Sequence, residues 1–197
     1  MIEVLILYYS KSGSVKNMAS LIARGVNSVE GAKAKIRTVP KVFPVINEVQ
    51  KSVPASGALY ATLDDLSKCD GLALGSPTRF GNMAAPLKFF LESATPLWFN
   101  GALENKPGCV FTSTGSTHGG NESTLLSMQL PLLHLGMILL GIPYSVPELS
   151  KTISGGTPYG ASHVQGHNDK NISEDEKIIC IAQGVRLAKI SLKLANE

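Results

Sequence analysis

Short apolar segments that end in small polar residues recur along this chain and constrain its fold more than any other feature. EVLILYY (3–9) is an apolar run of β-forming residues, typical of a strand buried on both faces of a sheet. GLALGS (71–76) and GCVFTS (108–113) are shorter and similar, and GMILLG (136–141) is a further candidate. AKIRTV (34–39) alternates apolar and polar residues, which predicts an edge or near-edge strand. The chain therefore contains five candidate strands.

Helical patterns lie between these strands. The first helix is predicted from the spacing of Val15, Met18, Ala19, Ile22 and Val26. Residues 82–93 form the next, and residues 122–136 form another with a kink at Pro131. Near the C-terminus, Ser173 and Glu176 make a capping box ahead of an amphipathic stretch. Strands alternating with helices predict an α/β fold with a doubly wound parallel sheet and helices on both faces.

The length of the chain sets the expected number of domains. With 197 residues, the chain is expected to form a single domain, 1–197. Two stretches lack clear elements, 40–63 and 143–172, and loops of such length are usually functional or involved in subunit contact.

Charge, hydropathy and cysteine content exclude several classes. No apolar run reaches the roughly 18 residues of a membrane span, and no basic segment precedes an apolar stretch as in a signal peptide. The net charge of +3 includes no Lys/Arg block, so nucleic-acid binding is not expected. Three widely spaced cysteines are typical of a reducing cytoplasm, and a cytoplasmic location is expected.

Three predicted strands end in loops of a matching kind, SKSGSV (10–15), SPTRFGN (76–82) and TSTGSTHGG (112–120). Ligands of doubly wound folds bind beyond the carboxyl ends of the strands, where these loops would converge. The convergence is a stronger indication of a ligand site than any single loop.

The first loop has the chemistry of a phosphate site. Serine hydroxyls, Gly13 and a helix N-terminus offer hydrogen-bond donors to an anion. Neither G-x-x-x-x-G-K-[ST] nor G-x-G-x-x-G is present, so a phosphomonoester is favoured over a nucleoside triphosphate or a dinucleotide. The alternative is a polar turn whose serines only cap the helix.

The second and third loops fit a planar ligand. Pro77 stiffens a turn in which Thr78, Arg79 and Phe80 present a hydroxyl, a cation and an aromatic ring. Such a set suits a heteroaromatic ring with carbonyl and imide edges, although a plain surface loop is the alternative. The third loop can follow the edge of such a ring with backbone N–H groups, and its His118 is either part of the site or a solvated loop histidine.

Other polar residues are given structural roles. His163 and His167 are interpreted as solvated loop histidines, and no metal site is expected. Cys180 and Arg186 have the spacing of a tyrosine phosphatase motif but fall inside a predicted amphipathic helix. Cys109 is expected to pack as a small apolar residue.

Several of these segments together resemble a known family. They are LYYSKSGS, GSPTRFGNM, LWFNGAL, FTSTGSTHGG, LLHLGM and GGTPYGAS, and they cover nearly the whole chain. They resemble the flavodoxin-like NAD(P)H:quinone oxidoreductases of the WrbA family. The resemblance implies a flavodoxin-like five-stranded sheet, non-covalent FMN, NAD(P)H as co-substrate, quinone substrates and a homotetramer.

The resemblance also assigns residues. The FMN phosphate would lie on Ser10, Lys11, Ser12, Gly13, Ser14 and Val15. The flavin ring would lie on Pro77, Thr78, Arg79, Phe80, Gly81 and Asn82. The ribityl chain and ring would be lined by Ser113, Thr114, Gly115, Ser116, Thr117 and His118, with His134 approaching the flavin from its helix. Trp98 matches a tryptophan beside the substrate pocket, which approaches a flavin bound mainly by another subunit. Ser12 stands where relatives often have an aromatic residue implicated in nicotinamide binding.

The expected reaction is two-electron reduction of quinones by NAD(P)H, in a ping-pong cycle that passes hydride through the flavin. No side chain is expected to act as a catalytic acid or base. Two alternatives stay open. One is a flavodoxin-type one-electron carrier, although such carriers are strongly acidic and this chain has a pI of about 8.7. The other is a non-enzymatic FMN-binding regulatory protein.

Overall fold

A parallel β-sheet forms the centre of the protein. The computed structural model describes residues 1–42, 53–54, 56–166 and 171–195. Within that part of the chain, the strands are β1 (Ile2–Tyr8), β2 (Ala32–Thr38), β3 (Gly71–Pro77), β4 (Pro107–Thr114), β5 (Ile138–Leu139) and β6 (Ala161–Val164). Their order in the sheet is β2-β1-β3-β4-β5, and β6 also pairs with β4. The doubly wound parallel topology predicted from the sequence is confirmed.

The expectation of five strands is wrong by one. Strand β5 pairs with Pro107 and Gly108 at the start of β4, and β6 pairs with residues 111–114 at its end. Since β3 occupies the other edge of β4, β5 and β6 follow each other along one edge, separated in the chain by residues 140–160. The segment ASHV of β6 is too short and too polar to stand out, so residues 143–172 looked like a loop.

Seven helices cover the two faces of the sheet in the described part of the chain. They are α1 (Ser14–Asn27), α2 (Leu63–Lys68), α3 (Ala85–Ser93), α4 (Thr95–Phe99), α5 (Asn121–His134), α6 (Glu148–Lys151) and α7 (Glu174–Ala195). The four predicted helices are confirmed. Pro131 lies inside α5, which ends just before Gly136 with its φ of 77°. Within the stretch 40–63, residues 43–52 and 55 lie outside the described residues.

Alternating side chains of the strands divide the core into two layers. Leu5, Leu7 and Leu72 pack toward α3 and α5, whereas Val4 and Ile6 pack toward α1 and α7. All five side chains are fully buried. Because the sheet has a layer of helices on each face, its central strands are apolar on both sides. Among the helices of the described residues, none combines the length and hydropathy of a membrane span.

Glycines bring α1 and α7 into backbone contact. A Cβ added at Gly184 would lie 2.1 Å from the carbonyl oxygen of Ile22, and one added at Gly25 would lie 2.1 Å from the carbonyl oxygen of Ile181. Real Cβ atoms do not approach backbone so closely. Each helix therefore presents a glycine to the backbone of the other, and this crossing depends on both.

Glu176 attaches the segment before α7 to the sheet. Its Oε1 accepts hydrogen bonds from Gly155 N–H at 2.8 Å and Val164 N–H at 3.1 Å. Its Oε2 accepts from Ser173 N–H at 2.9 Å, and His163 Nδ1 lies 2.8 Å from the same oxygen. The predicted capping box is confirmed, since Glu176 N–H in turn donates to Ser173 Oγ. The same carboxylate therefore connects both β6, through Val164, and the turn at Gly155 to α7.

His163 is not the solvated loop histidine that the sequence indicated. Its side chain is completely buried on β6, where Nδ1 meets the carboxylate of Glu176. The glycine-rich context of His163 concealed a strand, and only the pairing of that strand with β4 buries the ring. His167 lies outside the described residues.

The buried carboxylate makes stability depend on acid pH. Burial raises the pKa of Glu176, but hydrogen bonds from His163, Ser173 and Val164 outweigh burial and lower the pKa to about 2. A carboxyl with a lower pKa in the folded state stabilises fully above its unfolded pKa, and this contribution is lost as pH falls. We expect the free energy of unfolding to fall between about pH 4.5 and about pH 2.

Urea unfolding at a series of pH values measures this loss. Glu176→Gln, which cannot titrate, should show a shallower slope of stability against pH than the natural chain in the same interval. Equal slopes in the two proteins would contradict the prediction. Asp65, whose pKa is also lowered to about 2, contributes equally to both proteins and does not affect the comparison.

Candidate functional site

Three loops meet at the carboxyl edge of the sheet. They follow β1, β3 and β4, which are neighbours in the parallel sheet, so their carboxyl ends lie side by side. Hydrogen bonds join them: Tyr9 N–H donates to Gly75 O at 3.0 Å, and Thr78 N–H donates to Ser113 O at 2.9 Å. The structure thus brings together the loop segments that the sequence predicted to form one ligand site.

The first loop leaves the N-terminus of α1 open. Gly13 is the N-cap residue with φ 102°, no side chain caps the helix, and no acidic residue lies in its first turn. The alternative in which serines cap the helix is therefore wrong. A Cβ added at Gly13 would meet no atom within 4 Å, so the space over the loop is free. The unpaired N–H groups and the positive end of the helix dipole are directed at this space.

The side chains of the first loop differ in exposure. Lys11 and Ser12 are exposed, Ser10 accepts a hydrogen bond from Gly13 N–H at 3.1 Å, and Val15 is buried in the core. Val15 therefore has only its backbone N–H to offer a ligand. Ser14, although buried, retains a hydroxyl at the loop.

Gln165 joins this loop and was not predicted from the sequence. Its Oε1 accepts hydrogen bonds from Ser12 Oγ at 3.3 Å and Ser14 Oγ at 3.0 Å. Gln165 directly follows β6, about 150 positions along the chain from these serines. No sequence pattern signals the contact, because it depends on the pairing of β6 with β4.

The second loop is a tight turn. Arg79 and Asn82 exchange backbone hydrogen bonds of 2.7 and 3.1 Å, and Phe80 and Gly81 between them have φ values of 52° and 77°. Two consecutive positive φ values are those of a type I′ turn, which favours Asn and Gly rather than an aromatic residue. The ring of Phe80 is fully exposed. A strained, exposed aromatic residue at a ligand site indicates a functional constraint.

We expect Phe80→Gly to raise the free energy of unfolding of the flavin-free protein by about 0.5–1 kcal/mol, because glycine adopts a positive φ without steric cost. Phe89→Gly serves as the control. Phe89 is also largely exposed but lies within α3, where glycine should cost about 1 kcal/mol. Urea denaturation measures both variants, and a loss of stability in Phe80→Gly would contradict the argument.

Threonines and an asparagine hold the second and third loops in place. Thr124 Oγ1 of α5 donates to Thr78 Oγ1 at 2.8 Å. Thr114 Oγ1 at the end of β4 contacts Ser116 O, and Asn121 Nδ2 donates to Thr117 O at 3.2 Å. Thr124 and Asn121 are buried supporting residues that the sequence did not reveal, since each acts through a loop residue.

The third loop exposes the groups predicted to line a ligand. Gly115, Ser116, Thr117 and His118 are all exposed, whereas Ser113 is buried in β4. Asn121 begins α5 directly after this loop, and its N-cap Gly120 has no capping side chain. A second helix N-terminus therefore opens at the same edge as the first.

Trp98 and His134 lie away from these loops. Helix α5 starts at the carboxyl edge and runs about 20 Å to His134, which therefore lies near the amino edge of the sheet. Trp98 and His134 line one groove between α3, α4 and α5. The family resemblance predicts that His134 approaches the flavin from its helix. Within one chain, the structure does not bring His134 to the predicted flavin site.

The cysteines offer no reactive thiol. Cys69, Cys109 and Cys180 are all free and buried. Burial raises the pKa of Cys69 and of Cys109 to about 12, and it raises the pKa of Cys180 as well. Cys180 lies within α7 and not in a phosphate-binding loop, as the sequence indicated.

Comparison with known proteins identifies the family of this chain. Residues 2–148 match the family model described as NADPH-dependent FMN reductase. A curated relative from Syntrophobacter fumaroxidans, NAD(P)H dehydrogenase (quinone), is 41% identical over 205 aligned residues, which cover 99% of this chain and 100% of the relative.

Solved structures share the fold. A flavodoxin, WrbA-like protein from Agrobacterium tumefaciens superposes with a TM-score of 0.67 at 18% identity, covering 98% of this chain and 99% of the other. Two-electron reduced Megasphaera elsdenii flavodoxin gives 0.59 at 16% identity, covering 94% and 98%. The flavodoxin-like fold and the FMN cofactor expected from the sequence are confirmed. The chain belongs to the NADPH-dependent FMN reductase family, in agreement with its resemblance to WrbA proteins.

Proposed function

We propose that this protein is an FMN-dependent oxidoreductase that transfers two electrons from NAD(P)H to a quinone. The observation that carries the proposal is the meeting of three hydroxyl- and glycine-rich loops at one sheet edge, with the uncapped N-terminus of α1 among them. The name of the Syntrophobacter relative supports the same activity.

The residues of this edge fit FMN. The open space over Gly13 and the unpaired N–H groups of α1 suit the phosphate, which the loop would hold through Ser10, Lys11, Ser12, Gly13, Ser14 and Val15. The second and third loops would hold the ring and the ribityl chain, through residues 77–82 and 113–118. The exposed ring of Phe80 would lie against a flat ligand, where its unfavourable φ is offset by contact.

FMN, when bound, supplies the hydride acceptor and donor for both half-reactions. The chain orients it and modifies its charge. Arg79 is exposed beside Phe80, and its guanidinium would stabilise negative charge on a flavin ring bound at this edge. The buried, protonated cysteines keep the redox chemistry on the cofactor.

We further propose that the active form is a homotetramer. Several large apolar side chains on α3, α4 and α5 are exposed, namely Phe89, Trp98, Phe99, Leu126, Leu130 and Leu133. Exposed apolar residues grouped on adjacent helices indicate a protein interface. Since Trp98 and His134 lie far from the loops of their own chain, they approach a flavin only if it is bound by another subunit. The free, buried cysteines support a cytoplasmic location.

Reconstitution tests the activity. Apoprotein titrated with FMN should acquire a flavin spectrum and then oxidise NADH or NADPH with benzoquinone as acceptor. The absence of both flavin binding and FMN-dependent turnover would contradict the proposal. Flavin binding without turnover would instead favour the carrier or regulatory alternative.

Analytical ultracentrifugation tests the assembly. Phe99 is 75% exposed on α4, so Phe99→Asp should lower the sedimenting mass without reducing the stability of the chain. Lys16→Asp, an exposed change on α1, is the control and should leave the mass unchanged. A natural chain that sediments as a monomer with full activity would contradict the homotetramer.

A further inference from the structure

Gln165 connects the phosphate loop to the rest of the site. Besides accepting from Ser12 Oγ and Ser14 Oγ, it donates its backbone N–H to Thr114 O at 2.8 Å. Thr114 is the last residue of β4 and leads into the third loop. A single residue after β6 thus spans the first and third loops.

We propose that Gln165 is a positioning residue for the FMN phosphate, an inference that rests on the proposed flavin site. A primary amide has one acceptor oxygen and two N–H donors. The oxygen is held by the two serine hydroxyls, whereas Nε2 makes no hydrogen bond to any described residue. The side chain is only partly buried, so its N–H groups are accessible at the loop.

This arrangement determines which donors a phosphate meets. Because the hydroxyl hydrogens of Ser12 and Ser14 are directed at Oε1, the serine oxygens cannot turn freely within the loop. With these two hydroxyls engaged, the donors available to a phosphate are the backbone N–H groups of the first turn of α1, the hydroxyl of Ser10, the ammonium of the exposed Lys11 and the amide of Gln165. Gln165 therefore shapes the loop through its oxygen and adds a donor through its nitrogen.

A phosphate-specific role predicts a difference between two flavins. FMN carries the phosphate, and riboflavin has the same ring and ribityl chain without it. Removing one hydrogen bond to a charged group should weaken FMN binding by about 10-fold in Gln165→Ala. Gln165→Glu also places a carboxylate beside the phosphate, which should weaken FMN binding by about 100-fold. Riboflavin affinity should change less than about 2-fold in both variants, because neither touches the ring.

Quenching of flavin fluorescence measures all the affinities on apoprotein. The matched control is Gln129→Glu, the same change on α5, where Gln129 Nε2 donates to Tyr159 O outside the loops. It should leave the ratio of FMN to riboflavin affinity unchanged. Gln165→Glu nearly preserves the size of the side chain, so it remains informative if Gln165→Ala folds poorly.

Two results would overturn the inference. An equal loss of FMN and riboflavin affinity would show that Gln165 only supports the fold. Tighter FMN binding in Gln165→Ala would show that its oxygen competes with the phosphate for the serine hydroxyls. A natural chain that binds both flavins equally would instead refute the phosphate site itself, and this is measured before any variant is made.

Discussion

Replacing Glu176 with alanine should lower the free energy of unfolding by about 3–5 kcal/mol. The carboxylate is buried, and it accepts hydrogen bonds from Gly155 N–H, Val164 N–H, Ser173 N–H and the buried ring of His163. Truncation leaves these donors without an acceptor. Each unsatisfied buried donor costs roughly 1–3 kcal/mol, so the loss of acceptors for any two of these four donors already accounts for the effect.

Glu174→Ala is the matched control for this prediction. Glu174 lies in the same first turn of α7, but its side chain is 75% exposed and, among the described residues, pairs only with Lys177. The control should change the free energy of unfolding by less than about 0.5 kcal/mol. Urea denaturation at pH 7 compares the two, and similar losses in both would contradict the role given to Glu176.

Glu176→Gln should rescue little of the stability. Both carboxylate oxygens accept from N–H donors, Oε1 from Gly155 and Val164 and Oε2 from Ser173. In either orientation of the glutamine amide, its NH₂ group faces N–H donors, which are then left without an acceptor. Full recovery of stability in Glu176→Gln would contradict this geometry.

Gly184→Ala should lower the free energy of unfolding by about 1–3 kcal/mol, although helix propensity alone favours alanine by about 1 kcal/mol. The new methyl group would lie 2.1 Å from Ile22 O, so α1 and α7 must separate. The sign of the change is therefore diagnostic, and urea denaturation measures it. A gain in stability would show that the helices do not touch at this point.

Three further variants locate the effect. Lys189→Ala, on the exposed side of α7, should change the free energy of unfolding by less than about 0.5 kcal/mol. Gly25→Ala should resemble Gly184→Ala, because it meets Ile181 O at the same crossing. The double glycine variant should lose less than the sum of the single variants, since one separation of the helices relieves both clashes.

Local patterns were sufficient for most of the fold. The runs of β1, β3 and β4 are apolar on both faces along most of their length, with polar residues only near the strand ends, and this pattern identifies buried strands. Met18 and Ile22 are four positions apart, which places two buried apolar side chains on one face of a helix, and this spacing identifies α1. Strand β6 escaped this reasoning, since its buried members include His163, whose Nδ1 is paired by a carboxylate from another element.

The candidate site likewise has one part that the sequence predicts and one part that it does not. Loops rich in glycine and hydroxyl groups, placed after successive strands, indicate a ligand at the carboxyl edge, since parallel strands end there together. The residues that hold these loops have no local pattern. Thr124 acts on Thr78 across 46 positions and Gln165 on Ser14 across 151, so their roles exist only once the chain is folded.

The sequence by itself determined five of the six strands of the described residues, the four helices it predicted, the three loops and their common edge, because each depends on residues close together in the chain. Only the tertiary structure decided that β6 follows β5 along one edge of β4, that Gln165 contacts the loop after β1 and that Trp98 and His134 lie away from that loop. The physical reason is that burial periodicity is a local property of the sequence. Hydrogen-bond partners of buried polar groups, in contrast, are selected by long-range packing.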